Sequence, residues 1–131
     1  MYIMAKLPKI IRDEWEKKVK APVITTVDST GQANSIYASC VSIFDEKKIL
    51  IANNYFDKTL SNIKTGCKGN ILFLTEEGTS YQLKGTFTHI TEGEMFDDMK
   101  SWNPEKLPGV GVAVLDVESI YSGNKEIKFD E

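Results

Sequence analysis

Between Ile49 and Asn62 the chain reads ILIANNYFDKTLSN. An apolar run of strand type stops at Asn53-Asn54, a polar loop follows, and Asp57 stands where a helix beginning at Lys58 and Thr59 takes its N-cap. A lysine and a hydroxyl at a helix start are groups that hold a phosphate. The first helical N–H groups have no partners inside the helix and carry partial positive charge. An anion placed there meets oriented donors, a cation and a hydroxyl together. Asp57 opposes this, because its carboxylate stands close to the anion. As an N-cap it bonds back to its own helix and leaves Lys58 and Thr59 to face the ligand. The same residues also make an ordinary capped surface helix with a solvated lysine, so this stretch alone leaves both readings open.

Other reactive side chains are sparse. Cys40 and Cys67 have neither CxxC nor metal-ligand spacing, and with a single histidine, His89, they give no zinc site. Both read as free, reduced structural cysteines of a cytoplasmic protein. His89 alternates with Phe87 on a strand and reads as a strand residue rather than a catalytic base. No Ser or Cys beside it forms a triad motif.

The 131 residues fit one domain, 1–131, large enough to bury a core without disulfides or metal. Hydrophobic residues at 41% and charged residues at 27% are a globular balance. A net charge of −3 argues against general nucleic-acid binding. No apolar run approaches the roughly 20 residues of a membrane span, and Met1 to Ile10 is too short and broken for a leader.

The elements that must position the phosphate motif follow from pattern. Ile11, Trp15, Lys18 and Val19 share a helical face within 10–19. Pro22 to Val27 is a β-rich run, Asp28-Ser29-Thr30-Gly31 a turn, and 32–43 a second strand, giving a hairpin. Asp45-Glu46-Lys47 turns into a third strand, Lys48 to Asn53. The helix from Lys58 to about Lys64 ends at Gly66. Ile71 to Leu74 is apolar on consecutive positions, and Glu76-Glu77-Gly78 turns into a long strand, Ser80 to Ile90. Thr91 and Glu94 have capping-box spacing ahead of Met95, Phe96, Met99 and Trp102. Asn103-Pro104 ends that helix, and the Pro-rich loop to Pro108-Gly109 reads as a cover. Gly111 to Tyr121 is the last strand, and Ser122 to Glu131 reads as a frayed tail. Tyr37 and Tyr55 read as core or interface aromatics, and Trp15 as helix packing.

This makes six strands and three short helices in mostly antiparallel order, as in a closed or nearly closed barrel. The runs at 49–52 and 71–74 are apolar on both faces. They call for a second apolar neighbour outside the barrel, either a helix or another subunit.

The ordered segments resemble the FMN-binding split-barrel proteins related to pyridoxamine 5'-phosphate oxidase, and among them the small single-domain flavin binders. The resemblance is carried by the hairpin Pro22–Ile43, the run ILIANNYFDKTLSNI, the strand YQLKGT and the segment FDDMKSWNP, and covers Trp15 to Ser122. It implies a mainly β fold: a six-stranded antiparallel split β-barrel with short flanking helices, homodimeric, with one FMN per subunit at the interface. Residue by residue, it implies phosphate contacts at Lys58 and Thr59, assisted by Asn62. Asn34, Ser35 and Ile36 would run along the phosphate and ribityl chain. Ala52, Asn53 and Asn54 would edge the flavin ring, Gln82 would reach the cofactor across the dimer, and Trp102 would cover the ring. Relatives of this fold also hold deazaflavin or haem in the same cleft.

The oxidases proper carry a basic C-terminal motif in which Arg and His grip the substrate phosphate. Here the end reads EIKFDE, and Arg12 is the only arginine. The expectation is therefore an FMN-dependent redox protein, flavin reductase-like or electron-transferring, served by a nicotinamide donor or a redox protein partner. The alternatives are an oxidase of the pyridoxamine-phosphate type with an unknown substrate, or a non-catalytic module that stores or senses flavin. In every case the flavin carries the chemistry and the protein orients it.

Overall fold

The computed structural model describes residues 5–130. Residues 1–4, where the segment judged too short for a leader begins, and Glu131, the last residue of the expected tail, lie outside the described residues. The elements run α1 (Lys9–Trp15), β1 (Val23–Val27), β2 (Ala33–Tyr37), β3 (Val41–Asp45), β4 (Lys48–Asn53), α2 (Lys58–Ile63), β5 (Lys68–Leu74), β6 (Ser80–Ile90), α3 (Glu94–Trp102), β7 (Gly111–Ser122) and β8 (Lys125–Ile127). All strand pairs are antiparallel, in the order β2-β1-β5-β6-β7-β4-β3, with β8 beside β7.

Period-two alternation builds the interior. Ile24 on β1, Ile71 and Phe73 on β5, and Leu83 and Phe87 on β6 are fully enclosed together with Ile49, Ile51 and Leu115. Each such side chain contributes about 1.5–3 kcal/mol by leaving water. Trp15 of α1 joins this core, edge-on to Phe73 at 5.2 Å.

The stretch 32–43 is not one strand, as the pattern suggested. β2 stops at Tyr37, β3 starts at Val41, and Ala38–Cys40 carry the chain from one end of the strand order to the other. On one side Ala38 N–H donates to the Pro22 carbonyl (3.0 Å), and on the other the Cys40 carbonyl accepts from Ala52 N–H (2.9 Å). This segment spans the split of the barrel. The residues expected to fray also contribute: β8 pairs with β7, and Phe129 packs on the core. Asp130 and Lys6 exchange two backbone hydrogen bonds of 2.9 Å. Eight strands therefore replace the expected six.

β4 is buried on both faces, and α3 is the reason. Met95, Phe96, Met99 and Trp102 cover Leu50 and Ala52 together with Val112 and Val114 of β7. The second apolar neighbour of β4 is thus a helix of the same chain. On β5, Ile71 and Phe73 are enclosed while Leu72 and Leu74 are 41% and 45% exposed, so among the described residues this chain does not supply the second apolar neighbour expected for that strand. α1 ends at Trp15, short of 19, because Val19 N–H donates to the Leu74 carbonyl (2.7 Å) and draws the chain onto β5. At α3 the N-cap is Gly93 with φ 98°, so the Thr91–Glu94 capping box does not form.

Candidate cofactor cleft

β4 delivers the chain at Asn53 into a tight turn that leads to α2. The Asn53 carbonyl accepts from Val110 N–H, and its side-chain Oδ1 accepts from Phe56 N–H, both at 3.0 Å. Asn53 Nδ2 lies 3.1 Å from His89 Nε2. Asn54 faces the other way and forms a reciprocal amide pair with Asn103, at 3.1 Å and 2.9 Å. Asn54 Oδ1 also accepts from Gly109 N–H at 2.9 Å. Both asparagines thus fix loops: one the turn into α2, the other the Pro-rich segment after α3.

α2 lies against β1, β2 and β6. It is anchored by Ile63 in the core and by buried Asn62, whose Nδ2 donates to Thr26 Oγ1 at 3.0 Å. Gly66, with φ 72°, turns the chain out of it. Asp57 occupies the N-cap position, but its carboxylate makes no cap bond. The N–H groups of residues 58–60 find no partner outside the helix among the described residues. A helix of six residues has a small dipole. Most positive charge at this end therefore comes from Lys58, which is exposed and without an ion-pair partner among the described residues.

Two adjoining hollows follow the split. The first, about 300 Å³, lies between Asn34, Ser35 and Ile36 of β2 and residues 55–59. Here Asn34 Nδ2 donates to Thr59 Oγ1 at 3.2 Å, and Ser35 Oγ lies 2.8 Å from Thr25 Oγ1. The second, about 370 Å³, runs along residues 36–40, with Ala52, Asn54 and Leu107 on its walls. Ile36, Tyr55 and Phe56 border both, so the two form one trough. One end offers an ammonium, hydroxyls and amides, with the exposed Asp57 carboxylate, free of the cap bond expected of it, on the same wall and opposing an anion there. The other is apolar, with small side chains at Ala38, Ser39 and Ala52 leaving the backbone accessible. Tyr37 and Tyr55 flank the opening at 79% and 77% exposure, so neither belongs to the core of this chain. Burial, helped by the charge of Lys64, holds the His89 imidazole below its ordinary pKa.

Of the residues singled out from sequence, Asn34, Ser35, Ile36, Ala52, Asn54, Lys58 and Thr59 come together in this trough. Asn53 and Asn62 sit behind it, their amides engaged with the protein. Gln82 lies on β6 between Leu72 and Tyr121 and lines no part of it. Trp102, with Nε1 bonded to Asp98 Oδ2 at 3.1 Å, borders a neighbouring groove that shares Ser39 and Cys40 with the trough. Sequence reasoning missed residues 37–40, Tyr55, Phe56 and Leu107 as lining. The signal for the first was three small residues in succession, Ala38-Ser39-Cys40, interrupting the alternation.

The chain matches the family model described as pyridoxamine 5'-phosphate oxidase over residues 8–122. It is 30% identical over 105 residues to the uncharacterized protein MJ0282 of Methanocaldococcus jannaschii, covering 76% of this chain and 70% of that protein. Among solved structures it is similar to Group A Streptococcus HupZ, with a TM-score of 0.79 and 24% identity over 93% of this chain and 98% of the other. An FMN-binding protein from Syntrophomonas wolfei is similar too, with a TM-score of 0.71 and 23% identity over 89% and 97% of the two chains. These structural likenesses show the split-barrel fold, and the family match spans nearly every element that builds the trough. The chain belongs to the pyridoxamine 5'-phosphate oxidase family.

Proposed function

We propose that the trough holds FMN, with the phosphate among Asn34, Ser35, Lys58 and Thr59 and the ring along residues 36–40, Ala52 and Leu107. The observation that carries this is the continuity of one trough with a cation and hydroxyls at one end and an uncharged apolar wall at the other. A flavin mononucleotide has that polarity along its length. Family membership and the FMN-binding relative support the same reading. The bound flavin supplies electron- or hydride-transfer chemistry, and we assign the protein a redox role, flavin reductase-like or electron-transferring. Lys58 would offset part of the phosphate charge, Thr59 and Asn34 would orient it, and Leu107 with residues 36–40 would keep water from one side of the ring.

In this reading the protein is a cytoplasmic homodimer, and its two free cysteines suit a reducing compartment. Among the described residues no helix is long and apolar enough to cross a membrane. Exposed Tyr37 and Tyr55 beside the opening, and Leu72 and Leu74 on β5, are the surfaces a second copy would cover. Gln82, which lines no part of its own trough, would then serve the partner's, and Trp102 would flank the ring from the neighbouring groove.

The test is a fluorescence titration with FMN and riboflavin. A charge-assisted bond is worth about 1.5–3 kcal/mol, so Lys58→Ala should weaken FMN binding by about tenfold or more and leave riboflavin binding unchanged. Equal affinity of the native protein for the two flavins refutes the phosphate assignment. Oxidation of pyridoxamine phosphate is the second reading, favoured by the family match. Against it, the apolar hollow and the neighbouring groove are lined by no lysine or arginine among the described residues. A phosphorylated amine brings a second dianion that needs one. Reduction of the loaded protein by a nicotinamide donor without formation of pyridoxal phosphate is the expected result. Turnover to pyridoxal phosphate at about 1 per second or faster puts the oxidase reading first.

A further inference from the structure

Hydrogen-bond logic fixes the protonation state of the only histidine. Asn53 Oδ1 accepts from the Phe56 N–H at 3.0 Å. A backbone N–H can only donate, so the amide nitrogen of Asn53 must be the atom facing His89. That Nδ2 lies 3.1 Å from Nε2, and an amide nitrogen also only donates. Nε2 therefore accepts, and the ring is neutral with its proton on Nδ1. The ring also has little freedom to turn. Gly111 lies so close that a Cβ there would stand 2.5 Å from Cε1 and 2.6 Å from Nε2. β7 faces His89 with uncharged Gly111 and Ala113, and β4 faces it with Asn53. Its neighbours on β6 are Thr88 and Ile90. Among the described residues the charge acting on it is that of Lys64, just beyond α2.

We propose that His89 is a positioning residue for the trough: as the neutral Nδ1–H tautomer it orients Asn53, and through Asn53 the turn that carries Tyr55, Phe56 and Lys58. Taking a proton from solvent places a donor on Nε2 opposite the Nδ2 donor. Asn53 must then leave His89, or rotate its amide and set Nδ2 against the Phe56 N–H. Either way the turn loses its tie. Burial and Lys64 hold the imidazole below its ordinary 6.5, so the release belongs to mildly acidic solution, below that value. The sign follows from proton counting: stability is full above 6.5 and falls as pH drops toward the depressed folded value.

The first readout needs no flavin. In the 15N-labelled protein taken from about pH 8 to about pH 5, the Asn53 side-chain and Phe56 amide signals should move with the His89 titration. The Phe56 protection factor, with the slowing of intrinsic hydroxide-catalysed exchange divided out, should fall about fivefold, the equilibrium worth of one ordinary hydrogen bond. The second readout rests on the cofactor reading above. Riboflavin is the probe, because the phosphate of FMN itself titrates near pH 6. Its Kd should rise about fivefold over the same range. In His89→Gln the side-chain carbonyl can accept from Asn53 without titrating, so affinity at high pH should persist and the pH dependence should vanish. Co-titration in the free protein together with an absence of flavin binding at every pH supports the His89–Asn53 tie and overturns the cofactor reading. Asn53 and Phe56 signals indifferent to the His89 titration, or a His89→Gln variant with native pH dependence, overturn the inference.

Discussion

Removing the Asn54 side chain isolates the loop behind the apolar end of the trough. Asn54→Ala deletes three hydrogen bonds: two with Asn103, at 3.1 Å and 2.9 Å, and one from Gly109 N–H at 2.9 Å. Three polar atoms then lose their partner, on Asn103, only 7% exposed, and on buried Gly109. A buried polar group left unpaired costs about 1–3 kcal/mol. Asn54 itself is half-buried beside an open trough, so water reaches the vacated space and the low end applies, about 3 kcal/mol in all. In a urea titration with a slope of about 1.5 kcal/mol per molar, the midpoint falls by about 2 M. A double-mutant cycle with Asn103→Ala should return a coupling of about 1–2 kcal/mol, because either change alone already breaks the pair. Flavin affinity should fall with stability, since Leu107 is held by this loop. A loss under about 0.5 kcal/mol, or additive single changes, refutes the assignment of Asn54 as a loop tie and returns it to the list of ligand contacts.

Two more outcomes are expected. The Tyr81 phenol is pushed up to about 12 by burial and by the Glu14 carboxylate that accepts its proton at 2.8 Å. Its contribution to stability is therefore complete below pH 10 and lost as pH rises from 10 toward 12, a loss that urea midpoints should show and Tyr81→Phe should abolish. Leu72→Lys combined with Leu74→Lys should convert a dimer to monomer by light scattering while leaving circular dichroism intact. A dimer unmoved by both changes removes β5 from the interface.

The strands were legible where one face is buried and the other wet, as along Ser80–Ile90, which matches β6 residue for residue. Alternation failed where the reason for burial lay far away in the chain. Leu50 and Ala52 are apolar because α3, some fifty residues later, lies on them, and no local pattern distinguishes a helix from a second subunit. The 32–43 stretch kept its β character across a break, since the hydrogen bonds that define that break come from Pro22 and Ala52. At the site, residue type picked out Lys58 and Thr59, and the family resemblance added Asn34; all three line the trough. Type could not tell which amides face solvent: Asn53 and Asn62 were chosen for the chemistry that the fold uses to tie itself together.

The crossing at Ala38–Cys40 also bears on the order of assembly. Its two hydrogen bonds end on Pro22, before β1, and Ala52, near the end of β4. β1 is seated by β5, with Ile24 opposite Ile71, and β4 by β7, with Ile51 opposite Ala113. These pairings are distant in sequence and slow to form. The two bonds themselves continue the local hairpins β1–β2 and β3–β4, in which Val23 faces Tyr37 and Val41 faces Ile51, but the crossing is held at both ends in its native place only when both distant pairings are made. In the finished protein the same few bonds can open without disturbing the β5–β6–β7 centre. The wall of the trough is then a low-energy opening unit of its own, with faster amide exchange than the strands on either side.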